Sequence, residues 1–309
     1  MKAFKSILFF LFLFVSLVSS AQNQAPEVKL NPGDTLDLYS MTLEQLMQLK
    51  ASGVPSEMEK IINQLIGVAS KKALTSRDSP SIISLITHEE IVHSGARDLI
   101  DVLRLVPGFD FGVDVQGVVG IGIRGNWAYE GKTLILLDGA EMNEILYSTF
   151  QLGNHIGVDQ IKKIEIIRGP GSAIYGGYAE YGVINIITQD GEDLKGVSVN
   201  GIYSQMSGTY GQRNVGVSIG DKIKDLNYSI SFFTGQGTRS NQNYMDFSGQ
   251  SYNMTSNSKL DPTTFNLGLT YKGLVVRGIY DLYQTTNKDE FGSVSAKAYQ
   301  NDFKSSYFD

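Results

Sequence analysis

Two hydrophobic patterns divide this chain near residue 190. From residue 81 to residue 189, short apolar runs are separated by Gly-rich turns and by segments with helical periodicity. Beyond Gly191, apolar and polar residues alternate strictly and the helical pattern stops. Continuous apolar runs are typical of strands buried on both faces, and strict alternation is typical of strands with one polar face. The sequence therefore predicts a small α/β unit followed by antiparallel strands.

The α/β unit is predicted to hold two helices and several strands. The first helix opens at Thr87 with Glu90 three residues later, which is the spacing of a capping box. The second helix ends at Pro107 and has one apolar stripe, made of Leu99, Val102, Leu103 and Val106. The strands are expected in the segments SIISLIT, VVGIGIRG, KTLILLDG, IKKIEIIRG and GVINIIT.

Five segments beyond residue 191 alternate apolar and polar residues. In VSVNGIYS, the residues Val197, Val199 and Tyr203 share one face. In LVVRGIYDLY, the polar side carries Arg277 and Asp281. Several segments approach the ~9–11 residues of a strand that crosses a membrane, and apolar-out, polar-in alternation is typical of such strands.

The lengths of the connections favour a barrel over a soluble sandwich, which stays the alternative. Tight turns are predicted at residues 221–225 and at residues 272–273. A medium loop is predicted at residues 205–213, and a long polar loop at residues 235–262. Long and short connections would then alternate, as they do in outer-membrane barrels.

The N-terminus predicts secretion. Lys2 and Lys5 precede an apolar stretch from Ile7 to Val18, and the small residues Ser19 and Ala21 fit a cut before Gln22. An uncleaved anchor is the alternative, but the stretch is shorter than the ~20 residues of a spanning helix. Two short capped helices are expected in the leader that follows, in TLEQLMQLK and SEMEKIINQLI.

Composition excludes several kinds of chemistry. The 309 residues carry a net charge of −6, so no basic surface indicates nucleic acid, and the absence of cysteine excludes disulfides and thiolate chemistry. The three histidines, His88, His93 and His155, are expected at the surface and not at a metal site. GIGIRG matches a dinucleotide fingerprint but leaves no room for the helix that must follow it. We therefore predict no catalytic residues, no cofactor and no metal.

Several motifs occur together in a characteristic order: SGARDLIDVLRLVPGF, GIRG, LLDG, IEIIRGPGSAIYGG and VINIIT. Residues 81–188 thereby resemble the plug domain of TonB-dependent outer-membrane receptors. One departure is Tyr181, which stands where many members carry a glycine. The resemblance implies an α+β plug domain followed by an antiparallel transmembrane β-barrel. Because five strands cannot close a barrel, the barrel is expected to be incomplete and the chain to be an N-terminal fragment.

The expected organisation has four parts: a signal peptide (1–21), a leader (22–80), the plug (81–190) and about five barrel strands (191–309). The resemblance implies a non-enzymatic receptor of the Gram-negative outer membrane that imports a scarce ligand, namely a siderophore, corrinoid, metal complex or oligosaccharide. Its implied partners are TonB, membrane lipid and the ligand. Alternatives are a plugged signalling or adhesion receptor without transport, and a soluble periplasmic α/β enzyme.

The resemblance also implies roles for single residues. Arg124, Glu165 and Arg168 are expected in ion pairs between plug and barrel, although they could be ordinary exposed charges. The turn that packs the plug against the inner wall would consist of Gly169, Pro170, Gly171, Tyr175, Gly176 and Gly177.

Two further sites are implied. Plug loops that face outward would offer Trp127, Tyr129, Tyr147 and Phe150 to the ligand, unless these rings pack against the barrel wall. The segment that TonB binds by strand addition is placed at Leu65, Ile66, Gly67, Val68 and Ala69, with a plain linker as the alternative.

Overall fold

The structure is a computed structural model that describes residues 82–113, 118–127, 131–169, 175, 176, 178–246, 248–288 and 298–309. The predicted signal peptide, the leader and the candidate TonB segment lie outside these residues. So do Tyr129, Pro170, Gly171 and Gly177.

The plug unit is built on a five-stranded mixed sheet and a small three-stranded sheet. In the larger sheet, three of the four pairs of neighbouring strands are antiparallel and the fourth is parallel. The strands are β1 (Ile83–Thr87), β2 (Phe109–Val113), β3 (Val119–Ile123), β4 (Asn126–Trp127), β5 (Thr133–Leu137), β6 (Ala140–Glu141), β7 (Ile161–Arg168) and β8 (Gly182–Thr188). The order is β1-β7-β8-β5-β6 in the larger sheet and β2-β3-β4 in the smaller. Every strand predicted for this unit is confirmed.

Both predicted plug helices form, but the second ends at Leu103 and not at Pro107. Helix α1 (His88–Ser94) begins with the predicted capping box: Thr87 Oγ1 accepts from the Glu90 amide, and the Glu90 carboxylate accepts from the Thr87 amide at 2.7 Å. Helix α2 (Leu99–Leu103) is capped by Asp98, which accepts from the Asp101 amide at 3.0 Å. The predicted apolar stripe is buried, and its members Leu99, Val102, Leu103 and Val106 join the main core of the plug.

The glycines of GIGIRG make room for an aromatic ring. A Cβ on Gly120 would lie 2.8 Å from Cζ2 of Trp127, and one on Gly112 would lie 3.5 Å from the same ring. A tight turn with positive φ at Arg124 and Gly125 follows the strand, where a dinucleotide site would need a helix.

Eight strands follow the plug unit in the described residues. After a short helix, α3 (Gly191–Leu194), six of the strands form one antiparallel sheet, which we call the wall. The strands are β9 (Gly196–Met206), β10 (Thr209–Ile223), β11 (Leu226–Thr238), β12 (Asn243–Met245), β13 (Ser251–Asn253), β14 (Lys259–Tyr271), β15 (Leu274–Asn287) and β16 (Tyr299–Phe308). The wall has the order β9-β10-β11-β14-β15-β16, and β12 and β13 form a separate hairpin.

Three expectations about the wall are wrong in detail. The wall has six strands where about five were expected, because the last described residues form β16. The medium loop at residues 205–213 is an extension of the β9–β10 hairpin, closed by a turn at Ser207 and Gly208. Gly208 adopts φ 79°, which permits the tight turn. Although helical signals vanish from the sequence here, Asp190 caps the short α3.

The wall has an apolar outer face and a polar inner face. Val197, Val199 and Tyr203 are 62–70% exposed on the outer face. On the inner face Ser218 and Ser231 are buried, with their hydroxyls 3.0 Å apart. This is the predicted apolar-out, polar-in alternation. The helices of the described residues include none long and apolar enough to cross a membrane.

Candidate functional site

The plug meets the wall along a seam whose centre is an irregular loop. Residues 149–158, here called the seam loop, connect β6 to the 3₁₀ turn Val158–Gln160 and are all buried. A buried irregular segment leaves backbone groups without ladder partners, so other groups must satisfy them. Tyr283 of the wall supplies one such partner, and further wall groups bond to side chains of the loop, which makes the seam loop the main point of attachment.

His155 is the most constrained residue of the seam loop. Its Nδ1 lies 2.8 Å from the carbonyl oxygen of Gln151, and its Nε2 lies 3.1 Å from both carboxylate oxygens of Asp281 on β15. The imidazole is stacked between Phe150 at 4.4 Å and Tyr283 at 4.0 Å between ring centroids. His155 and Asp281 are 3% and 4% exposed. The expectation of a surface histidine is therefore wrong for His155, because wall residues enclose it.

Asn154 fastens the same loop to two other wall strands. Its Nδ2 donates to the Leu260 carbonyl at 3.0 Å, and its Oδ1 accepts from Asn214 Nδ2 at 2.6 Å. Asn154 has φ 50°, a left-handed conformation that asparagine tolerates better than most residues. On the wall, Gly237 makes room for this side chain, since a Cβ there would lie 2.7 Å from Asn154 Nδ2.

Two more hydrogen bonds complete this contact. The Tyr283 hydroxyl donates to the Gly153 carbonyl at 2.5 Å, and Gln160 Nε2 donates to the Phe232 carbonyl at 2.9 Å. Each bond joins a side chain on one partner to backbone on the other. The contact is thus made of separate polar bonds around the aromatic stack.

A second attachment point lies directly after β5, at Asp138 of the LLDG motif. Its carboxylate accepts from the Thr188 amide at 2.9 Å, from the Thr188 hydroxyl at 2.7 Å and from Asn266 Nδ2 at 2.8 Å. Arg277 of the wall donates to its carbonyl oxygen. The sequence pattern identified this motif but not the role of Asp138. The signal that could have revealed this role is a carboxylate placed directly after a buried strand.

Two of the three predicted ion-pair residues, Arg124 and Arg168, contact each other on the plug. Arg124 Nη2 donates to the Arg168 carbonyl at 3.1 Å. Glu165 is buried on β7 and forms an ion pair with Lys163 at 2.7 Å. The described wall strands contain no glutamate. The proposed pairing of Arg124, Glu165 and Arg168 with barrel glutamates therefore stays a prediction.

In the described part of the predicted plug turn, two glycines adopt positive φ angles. Gly169 has φ 144° and Gly176 has φ 87°, values that favour glycine. Tyr175 is half-buried and packs against a small apolar cluster on the face of the plug sheet away from the main core. Burial, with a smaller contribution from Glu165, raises the pKa of the Tyr175 hydroxyl.

The aromatic residues expected to face a ligand divide into two groups. Trp127 and Tyr147 are exposed on plug loops, and the Tyr147 loop also exposes Ile145 almost completely. The Glu144 carboxylate holds that loop by accepting from the amides of Leu146 and Tyr147 at 2.6 and 2.7 Å. These positions are compatible with ligand contact.

Phe150 does not face outward. It is 8% exposed and packs on His155, which in turn packs on Tyr283 of the wall. This is the alternative of packing against the wall, and it removes Phe150 from the ligand-facing set. The reason is the path of the seam loop, which turns this ring inward.

A cavity of about 320 Å³ opens between α2, β2 and the wall beside Gln212. Its lining includes Arg97, Arg104 and Arg239. Asp101 pairs with Arg97 at 2.8 Å, and the Arg97 guanidinium lowers the pKa of that carboxyl. The described residues hold no cluster of three or more His, Asp or Glu side chains suited to a metal ion.

Comparison with known proteins agrees with this architecture. Residues 75–183 match the family model "TonB-dependent Receptor Plug Domain". The chain is 37% identical over 121 residues to the vitamin B12 transporter BtuB of Vibrio vulnificus, covering 38% of this chain and 19% of that protein. It is 32% identical over 161 residues to an iron-regulated outer membrane virulence protein of Vibrio cholerae, covering 48% of this chain and 24% of that protein. The chain thus matches a quarter or less of the length of these relatives.

Solved structures share the fold. The ferric-catecholate import receptor Fiu of Escherichia coli K12 superposes with a TM-score of 0.51 at 18% identity, over 74% of this chain and 30% of that one. A variant of the ferric enterobactin receptor of Pseudomonas aeruginosa gives 0.50 at 19% identity, over 75% and 36%. Both matches cover about three quarters of this chain, whereas the plug model covers residues 75–183 alone. The matches therefore extend beyond the plug into the wall. Residues 75–183 thus carry the plug domain of TonB-dependent receptors, and the plug and wall together share the fold of these solved receptors.

Proposed function

We propose that the protein to which this chain belongs imports a scarce ligand across the outer membrane with energy supplied through TonB. The observation that carries the proposal is the construction of the seam. The apolar core consists of plug residues except for Ile279 of the wall, and separate polar contacts at the seam loop and at Asp138 fasten the plug to the wall. Such contacts can break and re-form without unfolding the plug core.

The ligand class proposed is a siderophore, corrinoid, metal complex or oligosaccharide. Relatives that bear the names of a vitamin B12 transporter and a ferric-catecholate import receptor support the small-molecule part of this range. Trp127 and Tyr147 are the proposed contacts on the plug, since exposed rings on anchored loops can pack against a ligand at low entropic cost. The proposed site for TonB is the segment from Leu65 to Ala69, bound as an added strand.

The deciding experiment is uptake by the full-length receptor in cells with and without TonB. Radiolabelled ferric siderophores, cobalamin and oligosaccharides would be supplied one at a time. The proposal expects accumulation of at least one of them, and loss of that accumulation when TonB is deleted. Uptake that ignores TonB would contradict it. Tight binding without uptake would favour the alternative of a signalling or adhesion receptor.

A further inference from the structure

The hydrogen bonds of His155 fix the number of protons that it shares with Asp281. A carbonyl oxygen can only accept, so Nδ1, at 2.8 Å from the Gln151 oxygen, carries a hydrogen. Nε2 lies 3.1 Å from both carboxylate oxygens of Asp281. A bare nitrogen lone pair there would face oxygen lone pairs. A second hydrogen must therefore lie between the ring and the carboxylate.

That second hydrogen makes the pair electrically neutral. The pair is either an imidazolium with a carboxylate or an imidazole with a carboxylic acid, and the total charge is zero in both forms. The two side chains are only 4% and 5% exposed. Removing the shared proton would leave one uncompensated negative charge in a buried site, which is unfavourable.

The aromatic sandwich favours the imidazolium form. Phe150 and Tyr283 lie parallel to the imidazole, at interplanar angles of 4° and 10°. Faces of aromatic rings attract cations, more strongly when the site is desolvated. One of these rings belongs to the plug and the other to the wall, so a protonated His155 draws the two parts together.

The remaining charged groups nearby do not replace this proton. Those within electrostatic range of the Tyr283 ring are Asp98 on the plug, Arg239 beyond β11 and Asp261 on β14, besides Asp281 itself. Asp98 is occupied as the cap of α2 and as the acceptor for Gln212 Nε2 at 3.2 Å. The Tyr283 hydroxyl is occupied by the Gly153 carbonyl.

We propose that His155 and Asp281 form a proton-dependent latch that fastens the plug to the wall. The latch is closed when the pair holds both hydrogens and weakens when the shared one is lost. It acts at the contact between plug and wall and does not depend on which ligand is carried.

The direction of the pH effect follows from proton counting. A free histidine loses its proton near pH ~6.5, and a free aspartic acid near pH ~3.9. Above about pH 6.5, closing the latch takes up one proton, so attachment weakens as pH rises, by up to about tenfold in the detachment constant per pH unit. Between about pH 4 and about pH 6.5, both states hold the same number of protons, so the latch adds no pH dependence there.

The test measures how easily the plug detaches in the full-length receptor in detergent micelles. The 309 residues contain no cysteine, so Asp159→Cys beside the seam loop gives this region a single site for a spin label. The urea concentration at which the label becomes mobile would be followed from about pH 5 to about pH 9. The latch predicts a constant midpoint up to about pH 6.5 and a falling midpoint above it.

Asp281→Asn tests whether the shared proton causes this fall. An asparagine amide can donate to the bare Nε2 of a neutral His155, so no shared proton is needed. We expect this variant to stay attached and to lose the fall above about pH 6.5. Asp261→Asn, a neighbouring carboxylate on the wall that does not contact His155, is the matched control and should keep the fall.

The proposal is overturned if the unmodified receptor shows no fall above about pH 6.5, or if Asp281→Asn shows the same fall as the control. If Asp281→Asn does not assemble, the double variant His155→Gln, Asp281→Asn serves the same purpose. Its two amides can hydrogen-bond to each other and neither titrates, so this variant should also lose the fall. A fall that persists in the double variant would assign the pH effect to another group and end the proposal.

Discussion

Asp138 of the plug and Asn266 of the wall are joined by a hydrogen bond of 2.8 Å between carboxylate Oδ2 and amide Nδ2. The two residues are 128 positions apart in sequence. The same carboxylate also holds Thr188, the last residue of β8, through its amide and its hydroxyl. One side chain therefore closes the plug sheet and attaches it to the wall.

Replacing Asp138 with asparagine should weaken the attachment. Both carboxylate oxygens of Asp138 accept hydrogen bonds, and the groups that bond to them act as donors. Asparagine would replace one of these oxygens with an amide nitrogen, which cannot accept a hydrogen bond. Asparagine tolerates the left-handed backbone at this position, where φ is 50°, so the backbone should not change. We expect a loss of about 1–3 kcal/mol in the free energy of plug detachment, measured by urea titration. Asp110→Asn, at an exposed plug carboxylate, should have no effect.

A methyl group at Gly237 should push Asn154 out of its site on the wall. The added Cβ would lie 2.7 Å from Asn154 Nδ2 and 3.0 Å from the Leu260 carbonyl oxygen. Gly237→Ala is expected to weaken plug attachment by about 1–3 kcal/mol in the same titration. Gly278→Ala is the matched control on β15, where the closest atom would lie at an ordinary 3.8 Å. Equal effects of the two variants would show that Asn154 does not depend on Gly237.

Gly120→Ala should displace the Trp127 ring, since the new Cβ would lie 2.8 Å from Cζ2. If Trp127 contacts the ligand as proposed, affinity should fall about tenfold or more, which corresponds to about 1.4 kcal/mol. Trp127→Ala should cause a similar loss. Gly122→Ala, with its nearest contact at 3.6 Å, serves as the control in a binding titration. Unchanged affinity in both test variants would remove Trp127 from the ligand site.

Asp98→Asn should stabilise the plug at neutral pH. Burial is the main cause that raises the pKa of the Asp98 carboxyl, so the charged form is disfavoured in the folded protein. Because the pKa of Asp98 is higher in the folded than in the unfolded protein, the free energy of unfolding falls as pH rises from the ordinary value of 3.8 through the raised pKa. Asparagine keeps an oxygen that can cap α2 and avoids the charge, and its amide can donate to Gln212 Oε1, which is buried without a partner, once the Gln212 amide flips. The urea midpoint should rise at pH ~7 and match the unmodified protein below the ordinary carboxyl pKa of ~3.9.

Proline in place of Val68 should reduce TonB binding. Strand addition relies on backbone amides, and proline removes one. We expect at least a tenfold loss of affinity for purified TonB, or about 1.4 kcal/mol. Val28→Pro, in the leader ahead of its two predicted helices, is the control for proline itself. If both variants bind TonB like the unmodified receptor, the contact lies elsewhere in the leader.

Local sequence patterns predicted most of the secondary structure. The capping box of Thr87 and Glu90, the apolar stripe of α2 and the inner and outer faces of the wall all depend on residues a few positions apart. Where a local signal was ambiguous, the prediction erred, as at residues 205–213, where Gly and polar residues indicated a loop and the structure has a hairpin turn.

The order of the motifs by itself determined the plug family and the division into plug and wall, because both can be recognised from short contiguous segments of the sequence. Only the tertiary structure decided which residues fasten the two parts. His155 meets Asp281 across 126 positions, and Tyr283 meets Gly153 across 130. Such partners are chosen by strand register and by the path of a buried loop, and neither leaves a periodic trace in the sequence. That is the physical reason why a histidine expected at the surface lies at the centre of the seam.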